Sequence, residues 1–266
     1  MTVIGFIGAG NMGYPMLCGA LRAFGPDRVI YTDASKERCR FVRQETGIDY
    51  CEDNISVADS AKYVVLAIKP QYYKNVFDDI KGHINAGHIV ISIAPGISTE
   101  EVKEQLGFDA RVVRAMPNTP AMVGEGMSGL CFSSDAFDEE ERTTVDAFFS
   151  SFGKYEVFEE RLMNAVVCAN GSSPAYVYMF IEALADSVVK YGIPRDKAYT
   201  LAAQTVLGAA KMVLETKEHP GKLKDQVCSP GGTTIAAVAA LEEHGFRNAV
   251  MKATDACYLK AVSFQK

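Results

Sequence analysis

The first half of the chain alternates short, nearly unbroken apolar runs with longer stretches in which apolar positions recur at a helical period. The runs fall at residues 3–7, 29–32, 63–68, 89–93 and 111–115. Strands that read as continuous apolar segments are those covered by helices on both faces, so the pattern predicts a parallel sheet. Residues 15–24 read as the helix after the first strand, and 129–132 and 154–158 as candidate strands at the far side of the sheet. Near Glu159 the strands fade and helical periodicity takes over. A long helix is expected over 174–190, ended by Gly192, with Pro194 in the first turn of the next. That next helix carries Ala202, Ala203, Gly208, Ala209 and Ala210, small residues that permit close helix contact. Two further helices follow the turn Ser229-Pro230-Gly231-Gly232 and are separated at Gly245. The expected class is therefore α/β. An N-terminal domain over 1–159 is joined without a flexible spacer to an all-helical C-terminal domain over 160–266.

Between the first strand and the first helix lies Gly8-Ala9-Gly10-Asn11-Met12-Gly13, a G-x-G-x-x-G turn. The first glycine permits the tight turn, the second lets backbone approach a pyrophosphate, and the third lets helix and strand pack closely. The helix start offers unpaired N–H groups and the positive end of a dipole to the phosphates. Strand, glycine turn, helix and a second strand ending in Asp33 together read as a Rossmann-type dinucleotide-binding unit. Asp33 leaves the nicotinamide cofactor open. An acidic residue there accepts from the ribose hydroxyls of NAD and repels a 2′-phosphate, yet Ser35, Lys36 and Arg38 follow closely and could meet one.

Composition and charge remove several classes of function. The 266 residues carry a net charge of −6 and no extended basic tract, so a phosphate-backbone footprint is missing. The seven cysteines are scattered, with no C-x-x-C pair, and the four histidines are not at metal-ligand spacing. Free thiols fit a reducing compartment. The N-terminus shows neither a signal peptide nor an apolar run of membrane-spanning length, so the cytoplasm is the expected location, with no membrane partner.

Three segments end expected strands at the carboxyl edge of the sheet, where open α/β folds bind ligands. They are Ala67-Ile68-Lys69-Pro70, Ile93-Ala94-Pro95-Gly96, and the run from Ala115 through Asn118 to Pro120. Their prolines and glycines expose backbone and apolar surface suited to a nicotinamide ring. In the second half, Ser229 to Thr234 runs directly into a helix expected over 235–243. Exposed N–H groups at a helix start, with the hydroxyls of Ser229, Thr233 and Thr234 beside them, form a site for a small carboxylate. A plain helix cap needs one such hydroxyl.

The runs 5–13, 67–71, 114–121 (RAMPNTPA), 171–176 and 219–235 closely resemble pyrroline-5-carboxylate reductases, in the same order and over nearly the whole chain. The resemblance implies reduction of 1-pyrroline-5-carboxylate to L-proline by NADP(H), with NAD(H) also admitted. It implies that Ser229, Gly231, Gly232, Thr233 and Thr234 hold the substrate carboxylate, and that the Thr234 hydroxyl bonds the ring nitrogen as the catalytic group. Glu160 and Gln226 align beside the ligand. Ile7, Gly8, Ala9, Gly10, Asn11 and Met12 match the pyrophosphate loop and Asn54 the adenosine side, where Asp33 departs from the neutral or basic residues common in members that favour NADPH and Ser35 stays a candidate by position. Ala67, Ile68, Lys69, Pro70, Ala94 and Asn118 match positions near the cofactor. It further implies an interlocked homodimer that can assemble into a decamer. Two rivals stand beside it: a hydroxyacid dehydrogenase, which would need a lysine base such as Lys190 or Lys211, and a dinucleotide sensor without turnover.

Overall fold

The structure is a computed structural model that describes residues 4–107 and 110–263. Val3, expected to open the first strand, lies outside the described residues. Among the described residues, seven strands form one sheet in the order β2-β1-β3-β4-β5-β6-β7. They are β1 (Ile4–Ile7), β2 (Val29–Thr32), β3 (Tyr63–Leu66), β4 (Ile89–Ser92), β5 (Arg111–Met116), β6 (Gly126–Phe132) and β7 (Gly153–Val157). The first five are mutually parallel. β6 runs antiparallel to β5, a direction the sequence reading left open for the far-side strands. The cause is the connection: residues 117–125 hold only the 3₁₀ turn Thr119–Val123. A parallel return needs a crossover of about a dozen residues or more. β7 then pairs in parallel with β6 after a helical crossover.

The helices of this part are α1 (Gly13–Phe24), α2 (Lys36–Thr46), α3 (Asn54–Ser60), α4 (Tyr73–Ile80), α5 (Thr99–Leu106) and α6 (Glu139–Ser150). Alternate strand residues enter opposite faces of the sheet, and two cores result. On one face Phe6, Val65, Ile91 and Val113 pack with Phe148, Phe149 and Phe152. On the other, Ile7, Val64, Val90 and Val112 pack with Val57, Tyr73, Phe77 and Val102. β1 has β2 on one side and β3 on the other, so strand order reverses at its carboxyl end. Ligands of open α/β sheets bind at such a reversal.

Beyond β7 come α7 (Met163–Val166), a π-turn over Val167–Gly171, α8 (Ser173–Val189) and α9 (Arg195–Thr216). α10 (Pro220–Val227), α11 (Thr233–Glu243) and α12 (Phe246–Val262) follow. Pro194 precedes α9 as its cap instead of standing inside the first turn. α10 was not expected from the sequence. By contacts the chain divides into two compact units, Met1–Ser172 with Cys257–Lys266, and Ser173–Ala256. Within the second, Ala185, Ala198 and Ala202 form a small buried cluster. Tyr178, Met179, Leu207, Leu214 and Met251 stand exposed. Of the small residues noted on α9, Ala202 is buried, whereas Ala203, Ala209 and Ala210 face outward. No helix among the described residues is long and apolar enough to cross a membrane.

Candidate active site

The three glycines of the turn after β1 have separate reasons to be glycine. Gly8 has φ +97°, and a Cβ there would lie 2.5 Å from the Ala67 carbonyl oxygen. A Cβ on Gly13 would lie 2.2 Å from the Gly8 carbonyl oxygen, so α1 could not approach the strand as it does. Gly10 has no heavy atom within 4 Å of that position. Its backbone is open to a ligand, as a dinucleotide pyrophosphate requires. The turn borders a groove of about 690 Å³, which Ile7, Gly8 and Gly10 line with Thr32, Asp33 and Lys36 from the β2 side. Glu52, Asp53, Asn54, Ala67, Ile68 and Lys69 continue it, and Tyr72, Asn75 and Asp79 close it. A groove at the strand reversal, with an open glycine and polar groups along its length, fits NAD(P)H.

Of the expected cofactor residues, Ile7, Gly8, Gly10, Asp33, Asn54, Ala67, Ile68 and Lys69 line this groove, and seven others do not. Ala9 is buried and donates its N–H to Asp33 Oδ2 at 2.8 Å. Asn11 is exposed, and Met12 is the residue before α1. The Ser35 hydroxyl caps α2 by accepting from the Arg38 N–H at 3.2 Å. Pro70 opens an exposed 3₁₀ turn, and Ala94 is fully buried. The Asn118 side chain is spent on backbone: it accepts from Met127 N–H at 2.8 Å and donates to the Asn170 carbonyl at 3.1 Å. Asn118 thus braces the loop after β5 instead of bordering the groove. Groove residues that sequence reading passed over include Glu52, Asp53, Tyr72, Asn75 and Asp79. The Asn54 amide donates to Asp79 Oδ2 at 2.8 Å, a link across the fold that no local pattern announces. Asp53 caps α3, and the Ser56 hydroxyl and N–H hold its carboxyl below the usual range.

Beside the Asn118 loop, Arg114 of β5 is fully buried. Its guanidinium pairs with Glu160 through Nη1 and reaches Asn164 Oδ1 at 3.5 Å through Nη2. The Cys131 thiol donates to the other Glu160 oxygen at 3.3 Å. Burial, then the Glu160 charge, pushes that thiol up to about 12. Glu160, which the resemblance implies beside a ligand, has both oxygens engaged by its own unit. Asn170, in the π-turn, donates to the carbonyls of Met116 and Met127 at 2.7 and 2.9 Å.

In the second unit, α10 ends at Val227 and the chain turns through Ser229, Pro230, Gly231 and Gly232 into α11. Gly231 has φ +69°, which favours glycine. Gly232 is the residue that caps α11, and no side chain caps the helix with it. The hydroxyls of Ser229, Thr233 and Thr234 have no hydrogen-bond partner among the described residues. A carboxylate could take both the free N–H groups of the first turn and these hydroxyls. Gln226 lies exposed in the last turn of α10, and His219 caps that helix by accepting from the Gly221 N–H at 3.0 Å. The lysines a hydroxyacid dehydrogenase would need are exposed: Lys190 lies by the Tyr191 ring and Lys211 pairs with Glu215 at 3.4 Å.

Residues 160–264 match the family described as pyrroline-5-carboxylate reductase dimerisation. Residues 3–96 match that described as NADP oxidoreductase, coenzyme F420-dependent. The chain is 44% identical over 266 residues to the pyrroline-5-carboxylate reductase of Escherichia coli, covering 99% of this chain and 98% of that one. The structure of a pyrroline-5-carboxylate reductase from Coxiella burnetii superposes with a TM-score of 0.91 at 33% identity, covering 100% of this chain and 99% of that one. The crystal structure of Plasmodium falciparum pyrroline carboxylate reductase with NADP bound superposes with a TM-score of 0.89 at 31% identity, covering 100% and 98%.

Proposed function

The chain belongs to the pyrroline-5-carboxylate reductase family, and on that premise we propose how its residues reduce 1-pyrroline-5-carboxylate to L-proline, the last step of proline biosynthesis. The observation that carries the reading is the start of α11, a helix end with free N–H groups, three unspent hydroxyls and no side-chain cap. Ser229, Gly231, Gly232 and Thr233 hold the substrate carboxylate there. The Thr234 hydroxyl accepts from the protonated ring nitrogen and orients the ring, and Gln226 borders the ligand. The groove beside Gly8, Gly10 and Asn54 binds the dinucleotide. Bound NAD(P)H supplies the hydride from its nicotinamide ring. A protonated cyclic imine already accepts a hydride at its C=N carbon, so the protein needs no strong general acid. Its task is orientation, holding reacting atoms about 3–3.5 Å apart. The absence of a triad or paired acid among these loop residues agrees with that task.

Residues 160–266 form the substrate-binding and dimerisation domain in this reading, and 1–159 the dinucleotide-binding domain. The exposed apolar side chains of α8, α9 and α12 are the surface that a homodimer would cover, with a decamer as the larger assembly, in the cytoplasm. The deciding assay follows loss of NADPH or NADH absorbance, separately, with 1-pyrroline-5-carboxylate as acceptor. Oxidation of neither overturns the reading. Turnover of 3-hydroxyisobutyrate in its place would favour the hydroxyacid dehydrogenase.

A further inference from the structure

Where β2 ends, the adenosine ribose of a dinucleotide lies in this fold, and the charged residues Asp33, Lys36 and Arg38 follow that strand closely. An acidic residue at this point ordinarily reads the ribose 2′-hydroxyl and bars a 2′-phosphate. Asp33 is already engaged. Its Oδ2 accepts the Ala9 N–H at 2.8 Å, which ties the glycine-rich turn to the end of β2. Its Oδ1 accepts the Ser35 N–H at 2.8 Å and so places the residue that caps α2. Arg38 is engaged as well. Its Nε donates to the Ala9 carbonyl, Nη2 reaches the Gly10 carbonyl at 3.5 Å, and the guanidinium lies over the Tyr14 and Phe41 rings.

Lys36 differs from both. It lines the groove. Its ammonium makes one long hydrogen bond, 3.3 Å to the Glu52 carbonyl, and lies 5.5 Å from the centre of the Tyr50 ring, and no carboxylate lies in ion-pair range of it among the described residues. We propose that Lys36 reads the 2′-phosphate of NADPH, while Asp33 positions the glycine-rich turn instead of reading the ribose. A neutral carbonyl at 3.3 Å is easily exchanged for a phosphate oxygen, which forms the stronger, charge-assisted bond. An ammonium held by one long bond and one ring at 5.5 Å can make that move, whereas the Arg38 guanidinium, bound to two carbonyls and stacked on two rings, is fixed. This inference rests on the groove being the cofactor site.

The test is calorimetric binding of NADPH and of NADH to the whole protein, without substrate. Lys36→Gln is expected to weaken NADPH about tenfold, the loss of about 1.4 kcal/mol for one charge-assisted contact, and to change NADH less than about twofold. Lys36→Arg, which keeps the charge, is expected to restore most of the NADPH affinity. Asp33→Glu separates the two roles of the carboxylate. Either acid can read a ribose, but the longer side chain cannot hold both the Ala9 and the Ser35 amide. Both dissociation constants should then rise together. Lys36→Gln with an unchanged ratio of the two constants, or Asp33→Glu binding both nucleotides like the parent, overturns the inference while the cofactor site stands. A parent protein that binds neither nucleotide overturns the site and the inference together.

Discussion

Replacing Gly232 by alanine adds one methyl group where the loop from Ser229 meets α11. Gly232 has φ −80° and ψ 172°, an extended conformation that any residue adopts, so the backbone is not strained by the change. The new Cβ would lie 2.4 Å from Ser229 Oγ and 3.2 Å from the Ser229 carbonyl oxygen. The hydroxyl is the flexible partner and must swing away, at a rotamer cost of order 1 kcal/mol or less in an exposed loop. On the proposed binding of the substrate carboxylate by this loop, one hydroxyl donor is lost. A hydrogen bond to a charged group contributes about 1.5–3 kcal/mol, which is roughly ten- to a hundredfold in affinity. The bond is made equally to bound substrate and to the transition state, so KM should rise by that factor with kcat nearly unchanged. Steady-state kinetics over a range of 1-pyrroline-5-carboxylate at saturating NADPH measures it. The cycle with Ser229→Ala isolates the cause: in that background the extra methyl should cost almost nothing. A wild-type KM for Gly232→Ala refutes the reasoning, and so does a second full loss on top of Ser229→Ala.

Thr234→Ala should lower kcat/KM about ten- to a hundredfold, as for one positioned hydrogen bond; unchanged kinetics removes Thr234 from the mechanism. Glu141, buried at the start of α6, pairs with Arg111 at 2.6 Å and Lys62 at 3.0 Å. Burial raises its carboxyl, but the bonds from Arg111, Lys62 and the Asp138 N–H outweigh burial and hold it below the usual range. A depressed carboxylate stabilises the fold above its unfolded value, about 4.3, and that stability is lost as pH falls through the lower folded value. Glu141→Gln should therefore cost about 3 kcal/mol near neutrality. The gap in Tm from the parent should narrow in acid below about pH 4; a constant gap refutes it. Static light scattering at micromolar concentration should give a homodimer or a multiple of one, and a monomer counts against the covered apolar surface.

The strands β1 to β5 were legible because two-sided burial leaves nearly continuous apolar runs, and the glycine turn was legible because its spacing is short and local. Strand direction was not. The apolar residues of β6 read the same either way, and the signal lay in the short connection over residues 117–125. β6 also begins at Gly126, ahead of the expected 129, since a glycine and a serine among its first residues hide the apolar pattern. A Cβ on Gly126 would approach the Phe152 carbonyl oxygen to 2.8 Å, a tertiary reason invisible in the run itself. α10 hid in a stretch that opens with proline and glycine, although Pro220 in its first turn and His219 as its cap are the features that start it. At the sites, residue type alone could not separate Asn54, which borders the groove, from Asn118, which braces a loop.

What separates them is how much hydrogen-bonding capacity is already used: Asn54 spends only its amide nitrogen, on Asp79, whereas Asn118 spends both its oxygen and its nitrogen. Buried polar groups must find partners, so a polar residue in a conspicuous motif has two fates. Asn118 divides its amide between Met127 and Asn170, and Glu160 divides its carboxylate between Arg114 and Cys131. Such residues hold shape, and their loss would act through stability or loop placement. Ser229, Thr233 and Thr234 border a helix start that no side chain caps, and Lys36 has only a long bond to a carbonyl and the Tyr50 ring at 5.5 Å. Those groups keep their bonds for something outside the chain. A ligand that takes them up gains donors already oriented by α11 and by the glycine turn, with little further ordering to offset. The same motif residues therefore divide into a frame and a receptor. Substitutions in the frame should change melting temperature together with kinetics, whereas substitutions in the receptor should change kinetics alone.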